Sequence, residues 1–149
     1  MHLFRFIAVG LALIVSLHAA EPVWLTDLDT AREQAAREHK QILLYFTGST
    51  WCPPCIALHH EVLATPEFTE YAKNFVLVAL DFPRLRDRTP EKITANPALK
   101  KRMELKERYG VAGYPTLLVL TSTGEDKGRV FGYEQGMGSQ KFLALLTAK

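Results

Sequence analysis

The sequence predicts an α/β fold, a mixed central sheet with helices on both faces. Three observations carry this. Short apolar runs at 41–47, 74–81 and 116–121 are long enough for buried strands and alternate with segments of helical spacing. One of those runs leads straight into a helix opened by proline. The last two strand segments are separated only by a short turn, so they read as an antiparallel hairpin in an otherwise crossover topology.

The residues justify each element in turn. MHLFRFIAVGLALIVSLHAA has a short head with Arg5, an apolar run from Phe6 to Leu17 and a small-residue end. This is the layout of a secretory signal peptide over residues 1–20, leaving one domain over 21–149. The apolar run is shorter than the ~20 residues of a spanning helix, so an uncleaved anchor is the secondary reading. No cysteine follows the run, which speaks against a lipoprotein anchor. Export places the chain in an oxidising compartment, periplasmic or otherwise extracytoplasmic.

Asp27 to His39 is helical, with Leu28, Ala31 and Ala35 at helical spacing among charges. QILLYFT (41–47) is a buried strand and Gly48-Ser49-Thr50 a turn. Pro53 to Ala64 is a helix, since proline suits a first helical position; Thr65-Pro66 interrupts or ends it. NFVLVALD (74–81) is the second strand. Residues 82–93 are charged and turn-rich. Pro97 to Tyr109 is a helix with Leu99, Met103 and Tyr109 on its apolar side. TLLVLT (116–121) and GRVFGY (128–133) form the hairpin. Ser139 caps a final helix that buries Phe142, Leu145 and Leu146. With 48% hydrophobic residues in 149, one domain can build a real core. A net charge of +2 gives no strong pull toward nucleic acid. The basic stretch from Arg84 to Arg108 reads as a solvated helix and loop; the alternative is a docking surface for an acidic partner.

Both cysteines lie in STWCPPCIALHH, as Cys52 and Cys55. A C-x-x-C at the start of a helix after a βα turn is the context of a redox pair. A helix N-terminus stabilises a thiolate, which is the nucleophile of disulfide exchange. Cys52 precedes the first turn and is expected to face solvent. Cys55 lies on the Leu58/Val62 face and is expected to be more buried. Cys52 would attack a substrate disulfide, and Cys55 would resolve the mixed disulfide. The rival reading is a zinc or copper chaperone using Cys52, Cys55 and His59 or His60, which lacks a fourth ligand. A purely structural staple would close too small a loop to stabilise much. Haem attachment needs histidine at 56, where the chain has Ile56.

Trp51-Cys52-Pro53-Pro54-Cys55, with Gly113-Tyr114-Pro115-Thr116 about sixty positions later, resembles the thioredoxin superfamily. The phrases FTGSTWCPPC, EVLATPEF and FVLVALD resemble its exported single-domain branch. The resemblance covers Asp27 to the C-terminus and implies a thioredoxin fold and thiol-disulfide oxidoreductase activity, with no cofactor beyond the Cys52–Cys55 disulfide. A disulfide isomerase or oxidase on the same scaffold is the alternative. The resemblance also implies that Pro115 is a cis-proline beside the redox pair. Tyr114 would then offer its backbone to an extended substrate, and Trp51 would form the rim. The implied partners are protein or peptide disulfides and a membrane-linked thiol reductant. One departure concerns the buried Asp and Lys of cytoplasmic-type thioredoxins, whose places are taken by Tyr45 and Leu77. Water, Glu61 or the Tyr45 hydroxyl would have to receive the Cys55 proton.

Pro53 and Pro54 both lack the N–H that could support a Cys52 thiolate, and no cation lies between the cysteines. The reduced form is thereby destabilised relative to oxidising members of the superfamily. The expectation is a pair at the reducing end of the range of roughly −270 to −120 mV.

Overall fold

A computed structural model describes residues 21–147. The predicted signal peptide lies outside the described residues. Five strands form one sheet in the order β1-β3-β2-β4-β5. They are β1 (Trp24–Leu25), β2 (Gln41–Thr47), β3 (Phe75–Asp81), β4 (Thr116–Leu120) and β5 (Asp126–Phe131). β3 pairs in parallel with β1 and β2, while β4 runs antiparallel to both β2 and β5. The mixed sheet is therefore as expected. β1 adds an edge strand of two residues, too short to show a period of its own.

Alternation along the strands divides the core. Ile42, Leu44 and Phe46 of β2 face one side with Val76, Val78 and Leu80 of β3. That side is covered by α1 (Leu28–Glu38), through Leu28, Ala31 and Ala35, and by α5 (Pro97–Arg108), through Leu99 and Leu105. Leu43 and Tyr45 face the other side, beneath Leu58, Val62, Phe68 and Phe142. Those residues belong to α2 (Pro53–Leu58), a π-helical turn (His59–Leu63), α3 (Pro66–Ala72) and α6 (Ser139–Thr147). Among the described residues no helix is long and apolar enough to cross a membrane.

Several boundaries differ from expectation. The helix starting at Pro53 does not continue regularly to Ala64. The peptide N–H of Ala64 bonds to the His59 carbonyl at 2.9 Å, five residues back, and widens the turn. Pro66 cannot extend a helix through its missing N–H, so the chain restarts at Thr65, whose hydroxyl accepts from Phe68 N–H at 3.2 Å. Residues 82–93 hold a 3₁₀ turn (Leu85–Asp87) and the start of α4 (Pro90–Ala95), capped by Thr89. The hairpin strand β5 begins two residues earlier than expected. Leu145 is exposed: Phe142 and Leu146, four apart, define the buried stripe of α6.

Candidate active site

β2 delivers the chain to a tight turn that three sets of contacts hold. The N–H groups of Trp51 and Cys52 donate to the Gly48 carbonyl at 3.1 and 2.9 Å. Ser49 donates its N–H and its hydroxyl to the two carboxylate oxygens of Asp81, at 2.8 and 2.7 Å. The Trp51 indole N–H donates to the Phe82 carbonyl at 2.7 Å. Gly48 is required here, because a Cβ on it would lie 2.5–2.7 Å from atoms of the Trp51 indole.

Cys52 is the residue before α2, in extended conformation, and Cys55 lies one turn in. They form a disulfide with Cα atoms 5.2 Å apart. Cys55 is 1% exposed and Cys52 5%. The expected ranking holds, but Cys52 does not face solvent openly. Its sulfur is bonded to that of the buried Cys55. No side-chain acceptor caps α2, and its first two positions are proline. The next N–H, that of Cys55, donates to the Cys52 carbonyl at 3.0 Å. All three first-turn positions thus withhold a free donor from the Cys52 sulfur.

The facing rim comes from the loop before β4. The Tyr114–Pro115 peptide is cis. The Trp51 ring, one residue before Cys52, meets the Tyr114 ring, one residue before Pro115, edge-on at 5.9 Å. Tyr114 also stacks on Phe82 at 5.1 Å. The Arg88 guanidinium donates to its hydroxyl at 3.0 Å. Burial pushes the Tyr114 hydroxyl up from its ordinary pKa. The Pro115 carbonyl is taken by Gly132 N–H at 2.8 Å. Among the described residues, the N–H and C=O of Tyr114 have no backbone partner.

Of the three candidate proton acceptors, Glu61 is committed elsewhere. It accepts from the Tyr133 hydroxyl at 2.6 Å and Gly136 N–H at 2.7 Å, and these bonds hold its carboxyl below the ordinary range. Tyr45 lies with Cys55 on a cavity of about 230 Å³, whose other walls are Thr47, Ser49, Ile56, His59 and His60. Burial pushes the Tyr45 hydroxyl up to about 12, so it stays protonated, and it accepts from the Thr47 hydroxyl at 2.9 Å. Among the described residues no group of three or more His, Cys, Asp or Glu side chains is gathered to hold a metal ion. Sequence reasoning missed Asp81, Phe82 and Arg88, which reach the site only through long-range contacts, and the role of Ser49 as the donor to Asp81. Asp81, a polar end to an otherwise apolar strand, was the one available signal.

Residues 28–148 match the model of the thioredoxin-like domain family. The chain belongs to that family. Over 110 residues it is 36% identical to the disulfide bond reductase DsbH of Chlamydia pneumoniae. That match covers 73% of this chain and 62% of the relative's length. Among solved structures, a DsbH oxidoreductase superposes with TM-score 0.72 at 30% identity, over 95% of this chain and 94% of that one. A thioredoxin from Thermus thermophilus follows with TM-score 0.62 and 26% identity, over 87% of each chain. In this thioredoxin-like domain, then, the C-x-x-C pair sits where strand, turn and helix meet.

Proposed function

We propose that this thioredoxin-like domain is a thiol-disulfide oxidoreductase that reduces disulfides of exported proteins or peptides. One observation carries the reading: the Cys52–Cys55 disulfide opens α2 at a helix start that offers no free N–H, next to Trp51, whose ring meets that of Tyr114, a residue with no backbone partner among the described residues. An extended substrate would add as a strand to Tyr114, with Trp51 and Pro115 flanking the bond to be cut. The reduced Cys52 thiolate attacks one substrate sulfur, and the other leaves as a thiolate. The Cys55 thiolate then attacks Cys52, closing the internal disulfide and releasing the second substrate sulfur. The substrate gains two electrons and the domain loses two.

Withheld donors leave the Cys52 thiolate, and with it the reduced form, poorly stabilised, which favours giving electrons away. Similarity to a protein named as a disulfide bond reductase supports the same direction. A signal peptide, as residues 1–20 predict, would put the reaction outside the cytoplasm, where a membrane-linked thiol donor would return the pair to its reduced state. No cofactor besides the disulfide is needed for this chemistry.

Reduction of insulin by dithiothreitol tests the activity. The domain should accelerate it, Cys52→Ser should abolish the acceleration, and Cys55→Ser should accumulate mixed disulfides through Cys52. Trapping seen only with Cys52→Ser would reverse the two roles.

A further inference from the structure

The cavity that Cys55 lines is walled also by two exposed histidines with no part in the exchange chemistry above. His59 and His60 are consecutive, a spacing that in an α-helix turns side chains about 100° apart. The π-helical turn starting at His59 keeps both on the wall of one 230 Å³ cavity, with their rings 5.4 Å apart. Cys55 and Tyr45 line the same cavity. π turns are rare and concentrate at functional sites.

We propose that His59 and His60 take up the proton of Cys55 during the resolving step, through water that the cavity has room to admit. This deepens the thiol-disulfide reading and rests on Cys52 being the attacking sulfur. The step balances. The Cys55 S–H bond breaks and its proton passes to an imidazole. The Cys55 thiolate bonds to the Cys52 sulfur, and the electron pair of the Cys52–substrate bond leaves with the substrate sulfur. That sulfur then takes a proton from solvent, and the imidazolium returns its proton to solvent.

Other groups around the cavity fit the role poorly. Tyr45 stays protonated and can only relay. Asp81, which acts on Tyr45 from β3, is held by both Ser49 donors. Glu61, on the same turn, is bonded to Tyr133 and Gly136. The elements packed against the turn bring Glu67, Glu70 and Tyr71 from α3 and Lys141 from α6, none of which lines the cavity. Imidazole both accepts and releases protons near neutral pH.

Rapid mixing of the reduced domain with excess 5,5′-dithiobis(2-nitrobenzoate) separates the two sulfurs. Attack by Cys52 releases one thionitrobenzoate in a concentration-dependent phase, and resolution by Cys55 releases the second in a concentration-independent phase. In the His59→Gln/His60→Gln variant, the first phase should be unchanged. The second should slow about tenfold or more at neutral pH, lose its rise between acidic and neutral pH, and recover partly in imidazole buffer. A second phase with wild-type rate and pH profile would overturn the proton route. Absence of the first phase in wild type would instead overturn the thiol-disulfide reading itself. Circular dichroism confirms folding, and the single variants divide the role between the two residues.

Discussion

Gly48 shows how a single missing Cβ shapes the site. The Trp51 indole occupies the space where the methyl of alanine would stand, and its N–H is fixed on the Phe82 carbonyl. The ring cannot yield without losing that bond. Gly48→Ala should therefore destabilise the domain by about 1–3 kcal/mol, as overpacking does, and slow insulin reduction. Urea unfolding and the turbidity assay check the two effects; unchanged values in both would show that the indole is not confined. Pro54 matters for the N–H it lacks. Pro54→Ala returns a donor to the second position of α2, next to the Cys52 sulfur. The thiolate gains stabilisation, so the reduction potential should rise by on the order of 20 mV. A potential that stays the same or falls would count against the withheld-donor argument.

At the scale of elements, the strands were legible as short continuous apolar runs and the long helices through the spacing of their apolar residues. The rest was set by contacts at a distance. β1 exists because Trp24 and Leu25 pair with Leu77 and Val78. The π turn is closed by the Ala64 N–H on the His59 carbonyl, a bond that no pattern in the sequence announces. Within the site, the two cysteines and Pro115 were readable from their spacing, whereas Asp81 and Arg88 act from 32 and 26 residues away in sequence. The start of α1 offers a pH test. The Asp27 carboxylate caps it, accepting from Thr30 N–H at 2.9 Å, and also bonds to Lys101 of α5 at 2.5 Å. The Lys101 ammonium first, then the Thr30 N–H, hold its pKa at about 2 against an ordinary 3.8. A carboxyl depressed on folding stabilises fully above its unfolded pKa and loses that contribution as pH falls through the folded one. Asp27→Asn should keep the cap but lose the ion pair, costing about 0.5 kcal/mol at pH 7. Melting temperatures of the two proteins should converge as pH falls from 4 to 2. A constant gap across that range would show that the charge contributes nothing.

At the scale of the whole molecule, the sheet separates two tasks. α1 and α5 close one face with a helix-on-sheet core. The other face carries α2, the π turn, α3 and α6, and α2 opens just beyond the end of β2 with the Cys52–Cys55 pair. The scaffold alone would serve an oxidase, an isomerase or a reductase. What distinguishes them is how well the reduced pair is stabilised, and here the helix start gives it little help. Equilibration of the Cys52–Cys55 pair with glutathione buffers measures that balance. A reductase should show a potential near the thioredoxin end of the scale, about −270 mV, whereas a value at or above about −180 mV would contradict the account.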